Sequence, residues 1–146
     1  MLSLFLSCCK LISKDSFPLV RAHFSLHFPL FIRVLPPSKF ESEIIEISQA
    51  LFEDKEDFVR INMVDNLIII ANFLTIAKHR ENITNFFNLL SNDISWRVKY
   101  RIADKVGEVI QSLGKEIGRS GVMQAYVKFM QNEEPEVRLG FGGWFL

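Results

Sequence analysis

The sequence predicts an all-α fold, a solenoid of about four stacked helical hairpins forming one domain over residues 1–146. Two observations carry that expectation. A short charged signature recurs at a constant step of 39 residues, and apolar residues on both sides of it fall at steps of three and four. The signature reads D-S-F-P-L-V-R (Asp15 to Arg21), D-K-E-D-F-V-R (Asp54 to Arg60), D-I-S-W-R-V-K (Asp93 to Lys99) and N-E-E-P-E-V-R (Asn132 to Arg138). Its valines, Val20, Val59, Val98 and Val137, keep the step with no insertion. Five further apolar columns obey it: Ile12, Leu51, Leu90 and Phe129; Phe24, Met63, Ile102 and Phe141; Phe28, Leu67, Val106 and Phe145; Leu35, Leu74 and Leu113; Ile44, Ile83 and Val122. Self-similarity at a fixed period is the mark of a repeat array. Steps of three and four place the apolar residues on one face of an α-helix.

In chain order, the N-terminal M-L-S-L-F-L-S-C-C opens a first amphipathic helix at about 2–13. It has no basic region ahead of its apolar run, which argues against an export signal. A second helix spans 17–34, and a third, 40–52, shows Ile44, Ile47 and Leu51. The fourth, 56–74, is marked by Val59, Met63, Leu67, Ile70 and Leu74, and the fifth, 81–91, by Ile83, Phe86, Phe87 and Leu90. Val98, Ile102, Val106, Val109 and Leu113 define a sixth at 95–113; helices at 120–131 and from 134 to the end follow. No segment alternates with period two, so no strand is expected. The acid of each signature sits where a helix cap belongs, with the second helix of the pair starting one or two residues later. Pro18 and Pro135 lie near such a start, where a missing N–H costs little. Pro36-Pro37 and Gly114 read as terminators between units. The units then divide at about 1–36, 37–75, 76–114 and 115–146, the last incomplete. A hairpin of this size cannot bury both faces alone, so stacking completes the core. Tetratricopeptide and ankyrin periods run about 33–34 residues, whereas HEAT and armadillo periods run about 40 or more. The constant 39 therefore favours an α-solenoid of about four HEAT repeats.

Charge and composition narrow the function. Lys plus Arg and Asp plus Glu number 17 each, so no global field draws in nucleic acid or anionic lipid. Protein is the expected partner, met through local patches. Cys8 and Cys9 are adjacent and are the only cysteines. That excludes a disulfide framework or a cysteine zinc site and fits a reducing compartment. The longest apolar run, Leu67 to Ala77, contains Asn72 and is too short to span a membrane.

No catalytic motif is present. No glycine-rich loop precedes a helix, and there is no G-x-S-x-G. His23 and His27 stand four apart, but H-F-S-L-H lacks the glutamate and third ligand of a zinc site; they read as a helix-surface pair. His79 stands alone. No metal and no cofactor are expected.

Trp96 is the strongest binding candidate. Its column is otherwise Pro18, Asp57 and Pro135, which an apolar core would not accept, so it is expected to face solvent. Exposed Trp and Arg are enriched in binding hot spots. The partner-binding ridge is expected at the intra-repeat loops: Phe17-Pro18, Asp57-Phe58, Trp96-Arg97 and Glu134-Pro135. The remaining charges, Asp15, Asp54 and Asp93 with Arg21, Arg60, Lys99 and Arg138, are expected to form a structural ladder along the stack. Glu133, Glu134 and Glu136 cluster on one loop, which a solvated loop edge explains; the same acids would also favour a basic partner.

One stretch is more specific. S-W-R-V-K-Y-R-I-A-D-K-V-G-E-V (Ser95 to Val109), followed by L-G-K-E-I (Leu113 to Ile117), resembles a middle repeat of the scaffold (A) subunit of protein phosphatase 2A. F-P-L-V-R (Phe17 to Arg21) is similar to that family's P-M-V-R signature, and S-E-I-I (Ser42 to Ile45) and Val59-Arg60 match in register. The likeness runs from about Leu11 to Arg138. It implies a non-catalytic scaffold that meets regulatory subunits through its intra-repeat loops, in the cytoplasm with the nucleus also open to it. The catalytic subunit, held by the family's last repeats, would not be bound. It also implies a piece of a longer array. A HEAT module of another class, such as a transport receptor or assembly factor, and a truncated non-functional copy are the alternatives.

The ending, G-F-G-G-W-F-L, departs from the family's alanine-rich helix, and each of Gly140, Gly142 and Gly143 weakens a helix by roughly 1 kcal/mol relative to Ala. Both ends of the chain are apolar where a terminal repeat needs a polar face, so self-association or poor solubility of the isolated chain is expected.

Overall fold

The computed structural model describes residues 1–36 and 39–142, with the backbone alone for Glu116. All its regular structure is helical: α1 (Leu2–Ile12), α2 (Pro18–Arg33), α3 (Glu41–Phe52), α4 (Asp57–Phe73), α5 (Ala77–Ser91), α6 (Trp96–Met130) and α7 (Pro135–Gly142). No strand occurs among the described residues. α6 is two helices end to end, parted where Gly118 takes φ 73° and ψ 160°. The elements form two layers. α2, α4 and α6 pack one on the next, as do α1, α3 and α5; α1, α3 and α5 each also pack on the even-numbered helix that follows, and α7 packs on α6.

The columns read from the 39-residue step form the core. Phe28, Met63, Leu67, Leu74, Ile102, Val106 and Leu113 are completely buried, and Phe24, Leu35 and Phe141 nearly so. Phe52 and Phe86 stack with ring centroids 4.3 Å apart, tying α3 to α5. Two columns depart at the first repeat. Ile12 and Val20 are 38% and 39% exposed, while their counterparts Leu51, Leu90, Phe129, Val59, Val98 and Val137 are all at 0%. Those columns meet the preceding repeat, and the first repeat has no such neighbour among the described residues. Phe145, Trp144 and Gly143 lie outside the described residues, as does Pro37.

The charged signature does two jobs. Each acid folds its own loop: Asp15 Oδ1 accepts the Phe17 N–H at 2.8 Å, Asp54 Oδ1 that of Glu56 at 3.0 Å, Asp93 Oδ1 that of Ser95 at 2.8 Å, and Asn132 Oδ1 that of Glu134 at 3.0 Å. The acid is therefore not the helix cap that the sequence suggests. It stands two residues before the capping residue, because its short side chain reaches the N–H two positions on and closes a turn. Each arginine then bridges two loops. Arg21 donates from Nη1 to Asp15 O and grips Asp54 through Nε and Nη2 at 2.6 and 2.9 Å. Arg60 repeats this on Asp54 O and on Asp93, at 2.7 and 2.8 Å. The two-pronged geometry needs a guanidinium. Where the third unit has Lys99, no bond to Asn132 forms among the described residues, so the expected ladder has two inter-repeat rungs.

Two further boundaries differ from expectation. Gly114 does not end a helix: it lies inside α6, and the break comes at Gly118. α5 starts at Ala77, four residues before the expected start, because the link ahead of it is braced. The buried Glu41 carboxylate accepts the Thr75 N–H and hydroxyl, both at 2.6 Å, and the Ile76 N–H at 3.1 Å. His79 is not solitary; its Nδ1 lies 2.9 Å from Glu41 Oε2. Burial opposes ionisation of Glu41, but the bonds from Thr75, His79 and Ile76 override it and hold the carboxyl at about 2.

α2 also tolerates an internal proline, Pro29. With no N–H on Pro29, the Ser25 carbonyl loses its helical partner. Asn66 of α4 supplies one, donating from Nδ2 to Ser25 O at 2.7 Å, and Asn62 Nδ2 reaches Ser25 Oγ at 2.9 Å. Two asparagines of the second repeat thus repair the first.

Candidate partner-binding groove

The second helix of each pair begins at a ridge position: Pro18 opens α2, Asp57 α4, Trp96 α6 and Pro135 α7. Phe17 is 68% exposed, Phe58 and Trp96 just over a third, and Arg97, Glu134 and Pro135 are exposed; Pro18 and Asp57 are half-buried. None of the eight ridge residues is core. Neighbouring loops touch. Ser95 Oγ donates to Asp57 Oδ2 at 2.8 Å, and Arg97 Nη1 lies 3.4 Å from the same oxygen. The Ser95 bond, with Arg97 beside it, holds the Asp57 carboxyl below its ordinary range despite partial burial. The Arg97 guanidinium also lies over the Trp96 indole, 5.5 Å from its centroid, and so braces the ring from one side.

Trp96 does not stand on a flat surface. It borders an open groove of about 740 Å³ that runs across α4, α6 and α7. Ile61 and Asp65 of α4 form one wall; Trp96, Arg97, Tyr100, Arg101 and Asp104 of α6 form the floor; Glu136, Leu139 and Gly140 of α7 form the other wall. Arg101 spans the floor, bonding Asp65 Oδ2 at 2.8 Å and approaching Asp104 Oδ2 at 3.5 Å, and the Asp65 bond raises its already high pKa. Gly140 sets the depth. A Cβ there would sit 3.0 Å from the Tyr100 ring and 3.4 Å from its carbonyl, so any larger residue would push the Tyr100 ring or α7 aside by a few tenths of an ångström. The residue that sequence reasoning counts as a weakness shapes the groove.

The groove gathers Trp96 and Arg97 with Asp57 at its rim. Phe17 and Pro18 lie one repeat away, with Pro18 beside the Asp54–Glu56 loop, and Glu134 lines a separate polar depression with Lys99 and Lys128. The sequence reading missed Tyr100, Arg101, Asp65, Asp104, Ile61 and Leu139. The signal was available in the 39-residue register. Ile61, Tyr100 and Leu139 share one column, Asp65 and Asp104 another, and Arg97 and Glu136 a third.

Chemically, two exposed aromatic rings stand beside three carboxylates, of which Asp65 and Asp104 face Arg101 and Glu136 stands on the opposite wall. Beside the Arg97 and Arg101 guanidiniums, the surface offers aromatic faces to an apolar stem and the Glu136 carboxylate to a cationic tip. His23 and His27 are exposed with ring centroids 6.3 Å apart, and no cluster of three metal-ligating side chains occurs among the described residues. Cys8 is exposed; burial pushes the Cys9 thiol up, which makes it less reactive. No described helix is long and apolar enough to cross a membrane. Comparison with protein-family models and with curated proteins found no match.

Proposed function

We propose that this chain is a non-catalytic protein-binding scaffold, a HEAT-repeat solenoid of the protein phosphatase 2A A-subunit type, that takes regulatory subunits along its intra-repeat loops. The observation that carries the reading is the groove at Trp96: an aromatic floor and acidic walls laid across three successive second helices, on a frame repeated every 39 residues. The arginine–aspartate ladder supports the repeat assignment, because the same two-loop bridge recurs at the same separation. The Ser95 to Val109 stretch, which carries the resemblance, is also the stretch that supplies the groove floor. On this reading the ridge is Phe17, Pro18, Asp57, Phe58, Trp96, Arg97, Glu134 and Pro135, extended by Tyr100. The partner presents basic side chains. The scaffold acts in the cytoplasm or nucleus, needs no cofactor, and leaves the phosphatase catalytic subunit to other repeats.

The test is Trp96→Ala, read for affinity to a regulatory subunit and for melting temperature. Truncating a hot-spot Trp costs about 2 kcal/mol or more, roughly a thirtyfold loss of affinity. The melting temperature should hold, because the column accepts Asp and Pro in other repeats. Unchanged affinity with a collapsed melting temperature would make Trp96 a packing residue. Binding of the catalytic subunit by this chain alone would mean that its repeats belong to another part of such an array.

A further inference from the structure

A polar depression of about 460 Å³ lies between the loops of the third and fourth units, at the boundary where the ladder has no rung. The same columns line a depression between the first and second units, where Ser13, Arg21, Ala50 and Asp54 stand in the places of Ser91, Lys99, Lys128 and Asn132. Both are bounded by loops on either side, so neither depends on where the stack starts or stops. In the upstream depression every charge of the rung is met. Asp54 Oδ1 accepts the Glu56 N–H and Arg21 Nη2, and Oδ2 accepts Arg21 Nε. Downstream the chemistry inverts. Asn132 Oδ1 accepts the Glu134 N–H, which puts Nδ2 in the place of Asp54 Oδ2. A donor thus stands where the upstream loops have an acceptor. The Lys99 ammonium, which lines the same depression, has no partner among the described residues. Two donors share one gap with nothing to accept from them.

Two further groups belong to the same gap. Lys128, from the part of α6 after Gly118, is held at its edge by Asn92 Oδ1. Ser91 is 5% exposed and lines the floor, and its hydroxyl has no hydrogen-bond partner among the described residues. The cause is local. Ser13, in the same column, donates to the carbonyl three residues back, Lys10 O. The corresponding carbonyl, Asn88 O, already accepts both the backbone N–H and Nδ2 of Asn92. A buried hydroxyl left in this state costs free energy and marks a place for an acceptor.

We propose that this depression is a binding site for a phosphate group, which takes the place of the absent aspartate carboxylate and accepts from Lys99 Nζ, Lys128 Nζ, Asn132 Nδ2 and, at the floor, the Ser91 hydroxyl. A carboxylate suits a single guanidinium fork, as in the two rungs upstream. Donors from four residues on both loops call for acceptor oxygens in several directions, which a phosphate group has. Asp93 does not oppose it, because Arg60 already neutralises that carboxylate. Glu133 and Glu134 do, from exposed positions at the rim, and they limit the affinity.

The experiment is thermal melting of the full chain titrated with inorganic phosphate, with ionic strength held constant by chloride. The wild type should gain roughly 3 °C or more at ten times the half-saturating concentration. Lys99→Gln should lose that gain, while its melting in phosphate-free buffer stays within about 2 °C of the wild type because no rung is broken. Lys99→Arg combined with Asn132→Asp builds the third rung within the chain, so it should melt higher without phosphate and gain nothing from it. Glu133→Gln combined with Glu134→Gln should lower the half-saturating concentration by about threefold or more. A neutral phosphoserine peptide separates the two sources of the group. Saturation at a concentration at least about tenfold lower than inorganic phosphate assigns the site to a phosphorylated chain, and saturation at a similar or higher one to free phosphate. No gain in the wild type would overturn the proposal. An equal, unsaturating rise in every variant would overturn it in favour of general salt stabilisation. A saturating gain kept by Lys99→Gln and by the rung-building variant would place the phosphate elsewhere on the chain. Acetate as effective as phosphate would overturn it in favour of a carboxylate.

Discussion

Asn66→Leu isolates the repair of α2. Ser25 is fully buried and Asn66 is 3% exposed, so no water replaces the lost donor at the Ser25 carbonyl. The substitution nearly conserves shape and removes the 2.7 Å bond. Leaving a buried acceptor unsatisfied costs about 1–3 kcal/mol, which in a chain of this size lowers the melting temperature by roughly 3–10 °C. The discriminating assay is a double-mutant cycle with Pro29→Ala, followed by chemical denaturation. Alanine at position 29 brings an N–H that restores the helical bond to Ser25 O. In that background Asn66→Leu should cost less than about 1 kcal/mol, giving a coupling of about 1 kcal/mol or more. An equal cost in both backgrounds would refute the reasoning, because Asn66 would then stabilise through something other than the carbonyl that Pro29 orphans.

Two further outcomes follow from the buried charges. Asp93→Ala strands the Arg60 guanidinium and opens the Ser95 turn, so it should cost about 3–5 kcal/mol in denaturant midpoint analysis, whereas Lys99→Ala, at the place where no rung forms, should stay within about 0.5 kcal/mol. Glu41, held at about 2 against an ordinary value of 4.5, contributes stability that is present above the unfolded value and lost as pH falls from about 4.5 through about 2, on the order of 3 kcal/mol in all. The difference in melting temperature between the wild type and Glu41→Gln should therefore be widest near neutral pH and shrink on acidification through that window; a difference constant down to pH 2 would refute it.

Much of the frame was legible because it repeats. The 39-residue step identified the buried columns and every residue of the two ladder rungs, since a periodic charge at a periodic helix start has one recurrent job. What the step hid were contacts unique to one place. Pro29 reads as a break in a helix, and only the neighbouring α4 shows why it is not. Gly114 and Gly118 look alike in sequence; the first stays helical with Ile110 Cγ2 4.0 Å from where its Cβ would be, and the second takes the turn. Ala77 to Asn82 carries too few apolar residues for a helical period to register, so the start of α5 depended on Glu41, one repeat away. Trp96 stands out by its odd column, whereas Tyr100 shares an ordinary apolar-looking column with Ile61 and Leu139 and carries no such signal.

Gly118 gives the stack an uneven stiffness. Its φ of 73° with ψ of 160° lies in a region that essentially only glycine occupies. Nothing lies within 4 Å of where a Cβ would project, so torsion rather than wedging sets the bend. The ladder rung is missing at this same boundary, between Lys99 and Asn132. Upstream, arginine clamps fasten each pair to the next; downstream, no such clamp forms among the described residues, and the last hairpin is held by the Gly118 backbone joint, the bond from Lys128 Nζ to Asn92 Oδ1 and its apolar contacts. A load applied along the stack is therefore taken up first as rotation at that joint, with the earlier repeats moving as a nearly rigid rod and the tail as a sprung tip.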